Sequence, residues 1–318
     1  MKNFIEIPNG AVPVMLTPFD EFNNINFETI DAMVDFYIDA GVSAIFAVCL
    51  SSEMFHLTCN ERFQLAEKVV KKVNGRIPVL VSGNFGGTFD EQIISINKMY
   101  DTGADAVVVL LSKLPNNDNL PNTLLQLSDK VNIPLGIYEC PSPKHIQIAP
   151  EEIAQIASSG NYIFMKETSS NLDVCLNKVK AAANTPFKVF IANLRCTPET
   201  LKAGGPGHCG IIANVCPEHT SAMCSNSTSD VKHRAYESAQ IMHDIMCACD
   251  YIPAAKYILT KRGLNMGSRC RCTSNVLVDK AKELLDYTIS EFDFLHPLAE
   301  DKALILRKRL NEVYPDIT

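Results

Sequence analysis

Eight short apolar runs recur along the chain, most of them separated by twenty-five to thirty-five residues and by one amphipathic segment. They are AVPVMLTP (11–18), AIFAVC (44–49), PVLVSGN (78–84), AVVVLL (106–111), PLGIYEC (134–140), YIFMKET (162–168), FKVFIAN (187–193) and GHCGIIAN (207–214). Continuous rather than alternating hydrophobicity is the mark of parallel strands covered on both faces. The segments between them read as helices. Phe27, Ile30, Val34, Tyr37 and Ile38 form one stripe that stops at Gly41. NERFQLAEKVVKKVNG opens on Asn60 as N-cap and ends near Gly75, while APEEIAQIASSG and TPETLKAGG each begin with proline and end with glycine. Eight strand-helix units at a steady period predict an α/β protein of the (β/α)8 TIM barrel type, since a doubly wound sheet rarely sustains that many even repeats.

Boundaries follow from the same pattern. The barrel is expected over residues 1–216. Residues 217–318 carry helical patterns around His233–Cys249, Ile252–Arg262, Ser274–Thr288 and Pro297–Val313, with a polar loop over Ser221–Ser229. They read as barrel-completing and C-terminal helices packed on the same domain, since no Gly- or Pro-rich linker marks a junction. A length of 318 residues, 47% hydrophobic, suffices for a large core.

Charge and cysteine usage narrow the partners. A net charge of -7 without a basic block argues against nucleic acid and anionic membranes, which leaves a small molecule. No apolar run reaches the length of a membrane span or a signal sequence, so a cytoplasmic location is expected. The twelve cysteines are scattered through apolar stretches and read as reduced core thiols. The pairs Cys247/Cys249 and Cys270/Cys272 lack the spacing of a tetrahedral site, so neither a metal nor a cofactor is expected.

Within the sixth run stands Lys166, an ammonium group where the pattern otherwise demands burial. Alternation places Tyr162, Phe164, Lys166 and Thr168 on one face, either the barrel interior or the helix side. In a (β/α)8 barrel the reactive groups sit at the C-terminal ends of strands, which is where Lys166 falls. Removal from water favours a neutral amine, and a neutral amine attacks a carbonyl to form an imine that withdraws electrons. Tyr138 ends the preceding run twenty-eight residues earlier, so neighbouring parallel strands bring its phenol beside the lysine as a proton carrier. After the second run, CLSSE (49–53) offers Ser51, Ser52 and backbone N–H groups to a carboxylate. Ser170 or Asn171 is positioned to cap the helix that follows.

These elements, with KETSSN at 166–171 and GGPGHCGIIANV at 204–215, resemble the dihydrodipicolinate synthase / N-acetylneuraminate lyase family along most of the chain. The resemblance implies a class I lyase or aldolase acting on pyruvate or another 2-oxo acid, with Lys166 as the Schiff-base residue and Tyr138 as the proton shuttle. It further implies that Leu50, Ser51, Ser52, Ala192, Arg195 and Cys209 bind substrate, and that the chain assembles into a homotetramer or dimer. The chain departs from the family at four points. Leu50 replaces one clamp hydroxyl. Ser112 stands where many members lend a tyrosine to a neighbouring subunit. Pro143 takes the place of an arginine that holds the synthases' second substrate, with Lys144 and His145 nearby. The ANLR loop (192–195) lacks the acidic pair that a sugar acid requires. The alternatives are dihydrodipicolinate synthesis from pyruvate and aspartate semialdehyde, N-acetylneuraminate cleavage, and a 2-oxo-acid-binding regulatory barrel without turnover.

Overall fold

The computed structural model describes residues 4–115 and 119–315. Its strands are β1 (Gly10–Ala11), β2 (Ile45–Val48), β3 (Val79–Ser82), β4 (Ala106–Leu110), β5 (Leu135–Tyr138), β6 (Tyr162–Glu167), β7 (Lys188–Ile191) and β8 (Gly207–His208). All pair in parallel, in the order β1-β8-β7-β6-β5-β4-β3-β2. The ring closes where Val14 bridges Phe46, with the Met15 N–H on the Phe46 carbonyl and the Phe46 N–H on the Pro13 carbonyl. This is the (β/α)8 barrel that the repeat period predicts. The first and last strands are reduced to two residues each. β1 pairs with β8 over Gly10–Ala11 and the first run continues past it through single bonds, the Val12 N–H to the His208 carbonyl and the Val14–Phe46 bridge, with Pro13 having no N–H to give on the side that faces β2. The eighth turns into a 3-10 segment at Ile211–Asn214.

Helices α1 (Phe27–Asp39), α2 (Cys59–Val73), α3 (Phe89–Tyr100), α4 (Leu120–Val131), α5 (Pro150–Ser158), α6 (Leu172–Ala182), α7 (Thr197–Lys202) and α8 (Pro217–Cys224) alternate with the strands. Gly41 ends the first at φ +74, a conformation that glycine adopts without a steric penalty. The N-cap of helix α2 lies two residues before the expected Asn60. Thr58 caps it, because its hydroxyl accepts from the Glu61 N–H while Glu61 accepts from the Thr58 N–H. Asn171 caps α6 by accepting from the Val174 N–H.

Past the barrel lie α9 (Ser229–Ala248), α10 (Tyr251–Lys261), α11 (Asp279–Glu291) and α12 (Glu300–Val313). Part of the expected 221–229 loop is helical instead. Ser221–Cys224 completes α8, which starts on Pro217 and packs against β1 and β8. The helix expected from Ser274 begins only at Asp279, with Thr273 and Asn275 engaged in a local turn.

One expectation about strand phase is corrected. Tyr162 does not share a face with Lys166, because a bulge after Tyr162 pairs it with Leu135 and pairs Phe164 with the next residue, Gly136. Tyr162 bonds the Leu124 carbonyl of α4 and packs on Phe187, whereas Phe164 and Lys166 point into the barrel. Phe164 fits there because Gly136 has no side chain: a Cβ on it would lie 3.0 Å from the Phe164 ring and 3.1 Å from Val108.

Candidate active site

The interior beneath the C-terminal mouth is aromatic. Phe46 of β2 meets Phe164 of β6 with centroids 6.1 Å apart, and Phe164 meets Phe190 of β7 at 5.3 Å. Above them lie Lys166, 4% exposed, and Tyr138, 3% exposed, opposite one another in the β5–β6 register. The Lys166 Nζ stands 4.9 Å from the centre of the Tyr138 ring, and Phe46 packs edge-on against the same ring. Among the described residues no carboxylate lies within ion-pair distance of Lys166. A cation in such a place without a counter-ion is costly for the fold.

Three thiols surround the pair. Cys49 follows β2, Cys140 follows β5 and Cys209 follows β8. Burial pushes Cys49 up to about 11 and Cys209 up to about 12, with the Lys166 charge pulling the other way. Both stay protonated at neutral pH. Burial likewise holds the Tyr138 phenol well above its usual range, with the Cys140 thiol beside it. The phenol therefore keeps its proton at neutral pH and is able to give it to a reacting oxygen.

Lys166 owes its placement to residues on the opposite face of the same strands. Glu139 and Glu167, each one position past the inward residue, point outward to the fully buried Lys178 of α6, at 2.6 and 3.2 Å. Glu139 also accepts from the N–H groups of Ile148 and Thr168, and the Thr168 hydroxyl donates to the Glu139 carbonyl. This group of ions fixes the ends of β5 and β6 against each other and against α6. The glutamate of KETSSN thus has a structural task that the motif taken alone does not disclose. The signal in the sequence is the repeated Tyr-Glu and Lys-Glu order at two neighbouring strand ends.

The turn after β2 divides the two expected serines. Ser52 is consumed locally: its Oγ accepts from the Cys49 N–H at 2.8 Å and donates to the Cys49 carbonyl at 2.6 Å, while its carbonyl accepts from Thr17. Ser51, 6% exposed, accepts a hydrogen bond from the Tyr251 hydroxyl at 3.0 Å, and among the described residues its own proton meets no acceptor. The Ser51 N–H faces the Cys49 thiol, and the Leu50 N–H donates to no described group. Glu53 adopts φ +59 and is buried, where it accepts from Lys256 of α10 at 2.8 Å and from the N–H groups of Arg271 and Cys272. Helix α10 therefore docks twice on this turn, through Tyr251 and through Lys256. Neither residue, nor the Asn214 that donates to Tyr251 at 2.8 Å, is visible as a site residue in the sequence, because their partners lie 200, 203 and 37 positions away.

The remaining expected residues are distributed around the mouth. Ala192 follows β7 with its N–H on the Glu167 carbonyl, and Cys209 follows β8 with its N–H on the Ile191 carbonyl. Arg195 sits on a 3-10 turn, with its side chain 71% exposed and directed to Asp244 of α9 at 3.4 Å. Ser112 lies on a 3-10 turn after β4, with its hydroxyl toward the Ser142 carbonyl at 3.4 Å. His145 meets the Thr168 hydroxyl at 2.8 Å, while Pro143 and Lys144 are exposed. A cleft of about 600 Å³ between α6, the end of α7 and the start of β7 holds none of these residues.

The sequence profile of the Dihydrodipicolinate synthetase family matches residues 8–291. The 4-hydroxy-tetrahydrodipicolinate synthase of Pseudomonas putida (strain W619) is 28% identical over 264 residues, 80% of this chain and 88% of its own. That of Bacillus subtilis (strain 168) is 26% identical over 284 residues, 87% and 97% of the two chains. Among solved structures, dihydrodipicolinate synthase from Thermotoga maritima superposes with a TM-score of 0.75 at 22% identity, covering 96% of this chain and 99% of that one. CdNal from Clostridium difficile, solved in complex with mannosamine, superposes with a TM-score of 0.79 at 16% identity over 90% and 99%. At these identities the two structures attest the fold.

Proposed function

The chain belongs to the dihydrodipicolinate synthetase family, whose members are class I lyases and aldolases that act on pyruvate through a lysine Schiff base, and on that premise we propose that Lys166 forms the imine here. The observation that carries this reading is the Lys166 ammonium, buried in the barrel mouth, facing the Tyr138 phenol and without a described carboxylate partner. Once its ammonium has lost a proton to solvent, the Lys166 amine attacks the C2 carbonyl of a 2-oxo acid, and the proton it carries into the adduct passes to the carbinolamine oxygen. Tyr138 protonates the carbinolamine oxygen, which leaves as water, and the imine then draws electrons from the bond at C3, so that a carbon-carbon bond breaks or forms. The Ser51 hydroxyl and the Leu50 N–H hold the 1-carboxylate. The Ser52 side chain serves the turn instead, and Ala192 and Cys209 line the neighbouring strand ends.

The experiment is borohydride reduction in the presence of pyruvate, followed by intact-mass and peptide mass spectrometry. An increment on Lys166, absent from Lys166→Ala, is expected; its absence from the wild-type chain overturns the reading.

The second reading is the synthase activity that the P. putida and B. subtilis relatives carry in their names. It is favoured by His145, which sits on Thr168 two residues from Lys166 and offers an imidazole to a second carboxylate. Turnover of pyruvate with aspartate semialdehyde in a coupled assay decides for it. Release of N-acetylmannosamine would instead favour the sugar-acid lyase.

The division into a barrel over 1–216 and helices over 217–318 packed on the same domain belongs to this proposal, supported by the docking of α10 on the β2 turn. So do a homo-oligomeric assembly and a cytoplasmic location, the latter supported by twelve free thiols, most of them buried.

A further inference from the structure

A directed chain of hydrogen bonds ends at the proposed carboxylate clamp. Tyr37, wholly buried in α1, donates to Asn214 Oδ1 at 3.5 Å; Asn214 Nδ2 donates to the Tyr251 oxygen at 2.8 Å; Tyr251 donates to Ser51 Oγ at 3.0 Å. Each link constrains the next. An amide nitrogen can only donate, so the Tyr251 oxygen receives a proton from Asn214 and sends its single proton on to Ser51. Ser51 Oγ then has one lone pair occupied by Tyr251. Its own proton must point elsewhere, and no described group accepts it. Burial holds the Tyr251 phenol above its usual range, so the proton that sets this direction stays in place at neutral pH.

We infer that Tyr251, oriented by Asn214, is a positioning residue that fixes the Ser51 hydroxyl as a donor toward the substrate, and that it thereby requires an acceptor there, of which an ionised carboxylate is the strongest. The inference rests on the reading of Ser51 as the clamp of a Lys166 imine enzyme. It goes further in giving the clamp a polarity and in drawing its supporting phenol from helix α10 of the same chain. Ser52 cannot substitute, because its hydroxyl both donates to and accepts from Cys49.

The test uses the full chain and pyruvate, and reads two quantities from borohydride trapping: the half-saturating pyruvate concentration and the fraction of Lys166 modified at saturation. Tyr251→Phe is expected to raise the half-saturating concentration about tenfold, the loss of one oriented bond to a charged acceptor, with the saturating adduct unchanged. Ser51→Ala is expected to do at least as much. In the double variant Tyr251→Phe adds nothing to Ser51→Ala, because Tyr251 acts through that hydroxyl alone. A merely structural role would add in full. Asn214→Asp keeps the shape but turns the amide donor into an acceptor, which takes the Tyr251 proton and leaves Ser51 to donate backwards; it is expected to raise the half-saturating concentration as well, and it decides the matter if Tyr251→Phe does not fold. An unchanged half-saturation in both single variants at Tyr251 and Asn214, or full additivity with Ser51→Ala, overturns the inference and leaves the imine reading standing. Failure of the wild-type chain to form any adduct overturns both.

Discussion

His208 of β8 is wholly buried, its Nδ1 is hydrogen-bonded with Thr197, and its Nε2 has no partner. Burial first, and the nearby Lys166 charge second, lower its imidazole to about 3. The folded chain thus keeps His208 neutral down to that pH, while the unfolded chain protonates it below its ordinary value of 6.5. Between those limits the unfolded state binds the extra proton, so the stability due to this group falls as pH falls through the window. Denaturant unfolding at about pH 7.5 and about pH 5 is expected to show a loss of about 2 kcal/mol that disappears in His208→Asn, read as the difference between wild type and variant. At this same scale the sequence discloses Lys166 and Tyr138, because an ammonium in an apolar run and a phenol one repeat earlier are local anomalies. It does not separate Ser51 from Ser52, since which hydroxyl is free depends on bonds made by Cys49 and Tyr251.

Among the elements, β5, β6 and α6 form one unit held by Lys178 between Glu139 and Glu167. Breaking a buried ion group by removing its cation leaves two carboxylates uncompensated, which is costlier than never having built it. Lys178→Met is therefore expected to lower unfolding stability by about 3–5 kcal/mol, measured by urea titration. It is also expected to reduce borohydride trapping at Lys166 by loosening the strand that presents it. The elements themselves are legible in the sequence, because continuous apolar runs and proline-to-glycine helix ends report burial on both faces. Their phase is less so. The bulge that turns Tyr162 outward arises from pairing with β5, where Gly136 leaves space for Phe164, and no periodicity within YIFMKET contains that information. The early start of α2 likewise depends on the reciprocal bonds of Thr58 and Glu61.

For the molecule as a whole, Tyr251 and Ser112 bear on assembly. The phenol on Ser51 comes from the same chain, and Ser112 supplies no tyrosine to lend. Turnover per chain is therefore expected to stay constant on dilution through the dissociation of whatever oligomer light scattering reveals, and a fall in step with dissociation would show that a second subunit completes the site. The sequence by itself determined the barrel, its strand count, and the lysine and tyrosine at two adjacent strand ends, because burial pattern and repeat period are written locally along the chain. Tertiary structure alone decided which face of β6 carries Lys166, which serine keeps an unengaged hydroxyl proton, and that helix α10 docks on the turn after β2. Those outcomes depend on hydrogen bonds between residues as far apart as Ser51 and Tyr251, or Glu53 and Lys256, and a bond of that span forms only after the barrel has brought its two ends together.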